Sequence, residues 1–278
     1  MSFESLFTNA KTLPNIPKVV QELIASFENP DVDFDEVSNK VSMDPVLSAK
    51  VLRMANSAHY GVSRSIENIS DGVVLLGFPA LRTMVLASGI AGSMTVPKTL
   101  DRRQFWSRNF LVAEITKRLA KHCDDVDPES AFTAGMIHAI GELLIHAGEP
   151  EKAEQIQEAI KLGGKLKATE ESILGYTYVD VSAELATRWK FPLKVVDGLK
   201  YQSAPEKAEN FSEIAALIRI AKYLYEAQMN NVDENQIKRD FPLELALKCK
   251  MDTQTVMKNI AQVSSLETAF TSVIEDVH

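Results

Sequence analysis

The stretch Ala134-Gly135-Met136-Ile137-His138-Ala139-Ile140-Gly141-Glu142-Leu143-Leu144-Ile145-His146 decides how this chain folds. Ile137, Ile140 and Leu144 recur at near-helical spacing, and Met136 and Leu143 widen the apolar face, so the stretch reads as one buried helix. An imidazole buried there without a partner costs about 1–3 kcal/mol. A metal ion could be that partner, because neutral imidazole is a common ligand, but such an ion wants three or more donors, usually with an acid among them. Ala139, beside His138, offers none. The sequence therefore predicts a core histidine bonded to a backbone carbonyl.

Working outward, Pro128 opens this helix, and Gly148 and Pro150 close it. Before it lies an amphipathic helix from Asp101 through Phe105, Trp106, Phe110, Val112, Ile115 and Leu119, with Lys117, Arg118 and Lys121 on its wet side. After it, the alternating charges of residues 149–167 read as a solvated face ending at Gly163-Gly164. Shorter helices follow around Glu170–Leu174, Val181–Trp189 and Val195–Leu199, then a loop over Ser203–Asn210 and a long helix from Phe211 to Met229. Two further helical patterns cover Leu243–Cys249 and Thr253–Ile274.

Toward the N-terminus, Gly92, Pro97 and aperiodic polar residues between Ser93 and Asp101 mark a break between two helical subdomains. In the first, Asn15 caps a helix with Pro17 in its first turn, and Asn29-Pro30 stops it. Asp35 caps a second helix, and Asp44-Pro45 starts a third that ends at Asn56-Ser57-Ala58-His59-Tyr60-Gly61. Val73-Val74-Leu75-Leu76 alone could be a buried strand, but Met84-Val85-Leu86-Ala87 and the lack of other strand-like runs favour helix. The expectation is an all-α chain with subdomains at 1–95 and 96–229 and a helical extension at 230–278.

Composition narrows the function. Hydrophobic residues make up 45% and charged ones 24%, as in an ordinary globular protein. A net charge of −8, from 30 basic and 38 acidic side chains, argues against nucleic acid as a partner. No run approaches the length of a membrane span and the N-terminus has no signal-peptide order, so a cytoplasmic location off the membrane is expected. Cys123 and Cys249 lie far apart without metal-ligand spacing, consistent with reduced thiols. Cys123 beside His122 at a helix end reads as packing rather than a nucleophile and its base.

Several motifs in order resemble one family. Leu13-Pro14-x-Ile16-Pro17 is followed by Asp44-Pro45-x-Leu47-x-x-Lys50-Val51-Leu52-Arg53-x-x-Asn56-Ser57-Ala58-x-Tyr60-Gly61. Ile66-x-x-Ile69-x-x-Gly72-Val73-x-x-Leu76-Gly77 and Leu81-Arg82 come next. This order resembles the HDOD family, the HD-related output domain of bacterial signalling, over about residues 12 to 225. The resemblance implies that the second subdomain is a helical bundle like the HD phosphohydrolases, whose histidines and acids hold metals that activate water.

Carried over position by position, that metal set is degraded. Arg108 stands where the first histidine belongs, and the His-Asp pair is His138-Ala139. Gly141-Glu142 replaces Gly-Lys, Tyr178 replaces a histidine, Gln202-Ser203 replaces a histidine pair, and Lys222 replaces the late aspartate. The resemblance thus implies no metal, no cofactor and no catalytic residue. It implies an interior pocket of Arg108, His138, Glu142, Tyr178, Gln202 and Lys222. Buried cations need neutralising, either by Glu142 or Asp180 or by a phosphate-bearing small ligand. A second candidate, the turn formed by Asp44, Asn56 and Ser57, either caps helices or docks the subdomains for signal output.

The expected function is a stand-alone, non-catalytic signalling module acting through protein or ligand binding, with signalling proteins as partners. A residual metal-dependent phosphohydrolase acting on a nucleotide or phosphodiester is the alternative. A purely structural scaffold is a third.

Overall fold

The computed structural model describes residues 3–8, 18–27, 33–56, 65–93, 97 and 99–254. Every regular element among them is helical: α1 (Phe3–Thr8), α2 (Lys18–Phe27), α3 (Phe34–Ser42), α4 (Pro45–Ala55), α5 (Ile69–Ser93), α6 (Arg102–Ala120), α7 (Pro128–Ile137) and α8 (Ile140–Gly148). Then come α9 (Pro150–Lys161), α10 (Leu166–Leu174), α11 (Tyr178–Arg188), α12 (Leu193–Lys200), a 3-10 turn at Pro205–Lys207, α13 (Glu213–Met229), α14 (Glu234–Asp240) and α15 (Leu243–Lys248). None of these helices is long and apolar enough to cross a membrane. The all-α expectation holds.

The chain divides at Thr95 and Val96 into two compact units, and α1 belongs with the later part rather than with residues 14–95. In the earlier unit α2, α3 and α4 all pack on α5. Val20, Leu23, Val37, Val41, Val51, Val73 and Leu81 are fully buried there, each worth about 1.5–3 kcal/mol when withdrawn from water. Asp44 caps α4 as expected, accepting from Val46 N at 2.8 Å and Leu47 N at 3.0 Å. The α3 cap is Asp33, which accepts from Glu36 N, and not Asp35, which sits in the first turn. The apolar run at 73–76 is helix, and α5 kinks at Gly77, whose φ of 70° and ψ of 164° suit a residue without Cβ. The Asn15–Pro17 start, the Asn29-Pro30 stop, the turn from Ser57 to Gly61 and all but the first two residues of the Thr253–Ile274 pattern lie outside the described residues.

In the later unit α6, α7 and α13 pack mutually, α12 joins α7 and α13, and α8 lies on α11. Two caps follow the sequence: Asp101 accepts from Gln104 N at the start of α6, and Asp127, ahead of Pro128, accepts from Ser130 N at the start of α7. A Cβ on Gly135 would lie 2.6 Å from Ala113 Cα, so α6 and α7 touch backbone to backbone. The extension expected from 230 onward is partly bound to this unit, since α15 packs on α13. α14 has no buried residue and carries a single apolar side chain, Ile237, which is why no apolar period announced it.

The opening stretch is not one helix. α7 ends at Ile137, Ala139 leaves helical geometry at φ −115° and ψ 17°, and α8 starts at Ile140. Gly141 lies against the start of α11: a Cβ there would be 2.3 Å from Tyr178 O and 2.8 Å from Ser182 N. Its N–H donates to Ser182 Oγ at 2.9 Å. The break re-aims α8 onto α11, and Glu142 N turns to Ala139 O at 3.0 Å in a tighter, 3-10-type step.

Candidate functional site

His138 sits at the break. Its Nδ1 lies 2.7 Å from Gly135 O, and because a carbonyl only accepts, Nδ1 carries the proton. The core histidine thus has the backbone partner expected of it. Burial, followed by the charges of Lys222 and Arg108, holds the ring well below the usual histidine range, so it is neutral.

The break also frees the His138 carbonyl, and a distant side chain takes it. Gln202 Nε2 donates to His138 O at 2.9 Å and to Leu199 O at 3.1 Å. Gln202 Oε1 faces Lys222 Nζ at 3.4 Å, and the same ammonium donates to Tyr178 Oη at 2.5 Å. Beside this relay Arg108 Nη2 meets Glu142 Oε2 at 2.5 Å. Burial opposes the Arg108 charge, but the Glu142 carboxylate outweighs it and raises the guanidinium above its ordinary range. The six expected pocket residues fall into two contacting groups: Arg108 with Glu142, and His138, Tyr178, Gln202 and Lys222 joined through the relay.

The neutralising partners divide unevenly. Glu142 pairs Arg108, as one of the expected alternatives had it. Asp180 does not serve: it closes a capping box at the start of α11 with Thr177, a Thr-x-x-Asp spacing readable from sequence. Among the described residues no carboxylate lies within 4.0 Å of Lys222; its donors meet only the oxygens of Tyr178 and Gln202.

Glu170 is the residue sequence reasoning missed. It lies on α10, is 3% exposed and accepts from Tyr178 N at 3.2 Å. Burial pushes its carboxyl up to about 8, against the pull of the Tyr178 N–H and with the charges of Glu142 and Asp180 adding to the rise. At neutral pH it is an acid and not a carboxylate. No local pattern marks it.

A cleft of about 970 Å³ opens beside the cluster, with Arg108, Glu142 and Glu170 in one wall and Tyr225, His146 and Gln157 in others. Thr99 closes part of it, with its Oγ1 2.9 Å from His146 Nδ1 and its carbonyl accepting from Gln157 Nε2 at 2.8 Å. Lys222, Tyr178, His138 and Gln202 do not line this cleft. They are internal structure.

The donor set does not fit the metals of the HD scaffold. One nitrogen of His138 is committed to Gly135 O, Glu142 is held by a guanidinium, and an ammonium stands on the other side. Among the described residues no group of three or more His, Cys, Asp or Glu side chains is placed to hold a metal ion.

The second candidate behaves differently. Asn56 ends α4, its Nδ2 donating to Leu52 O and Ile66 O at 2.8 Å each, while Oδ1 accepts from Ile66 N at 2.8 Å. It clamps the approach to α5 onto the end of α4. Asp44 caps the other end of α4, and Ser57 lies outside the described residues. Neither Asp44 nor Asn56 joins the interior cluster; both belong to the earlier unit.

Comparison with known proteins agrees with this architecture. A candidate phosphohydrolase from Shewanella amazonensis SB2B is 35% identical, with 93% of each chain covered and a TM-score of 0.76. A candidate signal transduction protein from Marinobacter aquaeolei VT8 shares the fold at a TM-score of 0.82 and 18% identity, over 100% of this chain and 61% of that one. A cyclic di-GMP phosphodiesterase, CdgJ of Vibrio cholerae serotype O1, is 28% identical over 151 residues, covering 54% of this chain and 33% of its own length. The chain spans less than half the length of the curated relatives it matches. Residues 13–205 match the HDOD domain family, and with the helical order, the Asp44 and Asn56 turns and the Leu76-Gly77 kink in place, the chain belongs to that family.

Proposed function

We propose that this chain is a non-catalytic signal-transduction module that binds its ligand or partner protein without turning it over. The observation that carries this is the Arg108–Glu142 ion pair at 2.5 Å, built where the resemblance puts metal ligands. Lewis-acid and hydroxide-generating chemistry need several donors on one ion. Here a guanidinium and an ammonium sit among those positions, and like charge disfavours a cation within about 4–6 Å. The cleft beside the pair is the place for a small ligand. Its charged lining, Arg108 and Lys161 against Asp101, Glu142 and Glu226, is poorly suited to a polyphosphate, so the ion pair rather than a bound anion neutralises Arg108.

The test is elemental analysis of protein expressed in metal-supplemented medium, together with hydrolysis assays on nucleotides and on linear and cyclic phosphodiesters. The expected result is metal far below one per chain and no turnover. A ratio near one that disappears in His138→Ala, accompanied by hydrolysis, would establish the metal-dependent phosphohydrolase instead.

A further inference from the structure

Cys123 and Cys249 lie nearly half the chain apart, and the fold brings them together. Cys123 follows the last turn of α6, its Sγ 3.6 Å from Leu119 O. Cys249 ends α15, its Sγ 3.9 Å from Glu213 O at the start of α13. α6 and α15 both pack on α13, and Lys250 Nζ meets Asp125 Oδ2 at 3.0 Å, tying together the residues that flank the two cysteines. The two side chains lie close enough for the Cys249 thiol to hydrogen-bond a Cys123 thiolate, and each shifts the other's ionisation. Cys249 is buried, whereas Cys123 is partly exposed.

We propose that Cys123 and Cys249 are a redox-active dithiol, in which Cys123 attacks a small-molecule disulfide and Cys249 resolves the product into an internal disulfide. The roles follow from access: only Cys123 can be reached from solvent, and only Cys249 is held against it. The hydrogen bond from Cys249 lowers the Cys123 thiol below its ordinary range and raises that of Cys249, which also favours Cys123 as the thiolate. In the first step the Cys123 thiolate forms a bond to one sulfur of the oxidant and expels the other as a thiolate. The Cys249 proton passes to that thiolate. Cys249 then attacks Cys123 Sγ and expels the second oxidant sulfur, which takes up a proton from solvent. Two protein thiols become one disulfide, and one oxidant disulfide becomes two thiols. The bond ties the end of α15 to the end of α6, the helix that carries Arg108.

The experiment treats the full-length native protein with oxidised glutathione and follows intact mass, free thiols and a non-reduced peptide map. The wild type is expected to lose two hydrogens, retain no glutathione, yield a Cys123–Cys249 linked peptide and melt at a higher temperature, all reversed by dithiothreitol. Cys249→Ala is expected to stop at one glutathione on Cys123, and Cys123→Ser to remain unreacted until denatured. Circular dichroism checks that each variant is folded, with Cys249→Ser in reserve. Glutathione retained on Cys123 of the wild type, a bond between two copies, or reaction only after unfolding would overturn the proposal and leave the pair as plain packing.

Discussion

Two interrupted helices in this molecule are each closed by a side-chain amide, and they differ in where that amide comes from. At the end of α4, Asn56 turns to Leu52 and to Ile66, ten positions on, in an exposed setting. At the α7–α8 break, Gln202 reaches the His138 carbonyl across 64 positions and is 1% exposed. Water can replace much of what Asn56 does. Nothing comparable reaches His138 O, so the same functional group has a larger effect in the second place.

The largest effect is expected from the buried acid against the start of α11, Glu170, which accepts from Tyr178 N. Glu170 is raised from 4.5 to about 8 by folding. The folded chain therefore holds a proton that the unfolded chain has lost, and its stabilising effect is fully present below pH 4.5 and lost as pH rises through about 8. At about 1.4 kcal/mol per pH unit between 4.5 and about 8, the swing is on the order of 5 kcal/mol. Glu170→Gln keeps the oxygen for Tyr178 N and removes the slope. Urea melts of both proteins across this range check it; parallel curves would show that folding leaves the Glu170 carboxyl solvated.

Next comes Gln202→Leu, which conserves volume, strands His138 O and leaves Lys222 Nζ with Tyr178 Oη alone. A loss of about 2–4 kcal/mol is expected, from one bare buried carbonyl and one poorly solvated ammonium. Denaturant unfolding measures it, and a loss no larger than that of Asn56→Ala would erase the contrast between the two sites.

Within the ion pair, Glu142→Gln leaves a guanidinium without its carboxylate, while Arg108→Met removes the charge. Because Arg108 keeps 31% of its side chain exposed, Glu142→Gln should cost about 1–3 kcal/mol, below the figure for a fully buried pair. Inorganic phosphate should not restore the melting temperature of Glu142→Gln beyond a chloride control. A selective rescue that Arg108→Met abolishes would instead mark an anion site.

Asn56→Ala is the smallest, at about 1–2 kcal/mol for an exposed clamp with three backbone bonds at 2.8 Å. Its melting temperature should fall while binding by the folded fraction is unchanged. Binding lost at equal folded fraction would restore the docking role for this turn.

How much was legible follows from reach along the chain. Asp44-Pro45 and Pro128 each act within one turn of themselves, and each starts a helix as read from sequence. Asp35 was displaced by Asp33 because two acids within one turn both offer a cap, and the backbone at Asp33 is the extended one. The break inside residues 134–146 was invisible for the opposite reason: every residue there is compatible with helix, and the interruption depends on Gly141 pressing against Tyr178 O.

The sequence by itself determined that the chain is helical and where most helices begin and end. Those are local propensities and residue identities, fixed before anything packs. Only the tertiary structure decided that Glu142 and not Asp180 pairs Arg108, that Lys222 is left to Tyr178 and Gln202, that Glu170 is a neutral acid at neutral pH, and that two distant thiols touch. Each of those depends on which helix lies against which, because burial sets the energy of a charge or a proton, and burial belongs to the packed molecule rather than to any stretch of it.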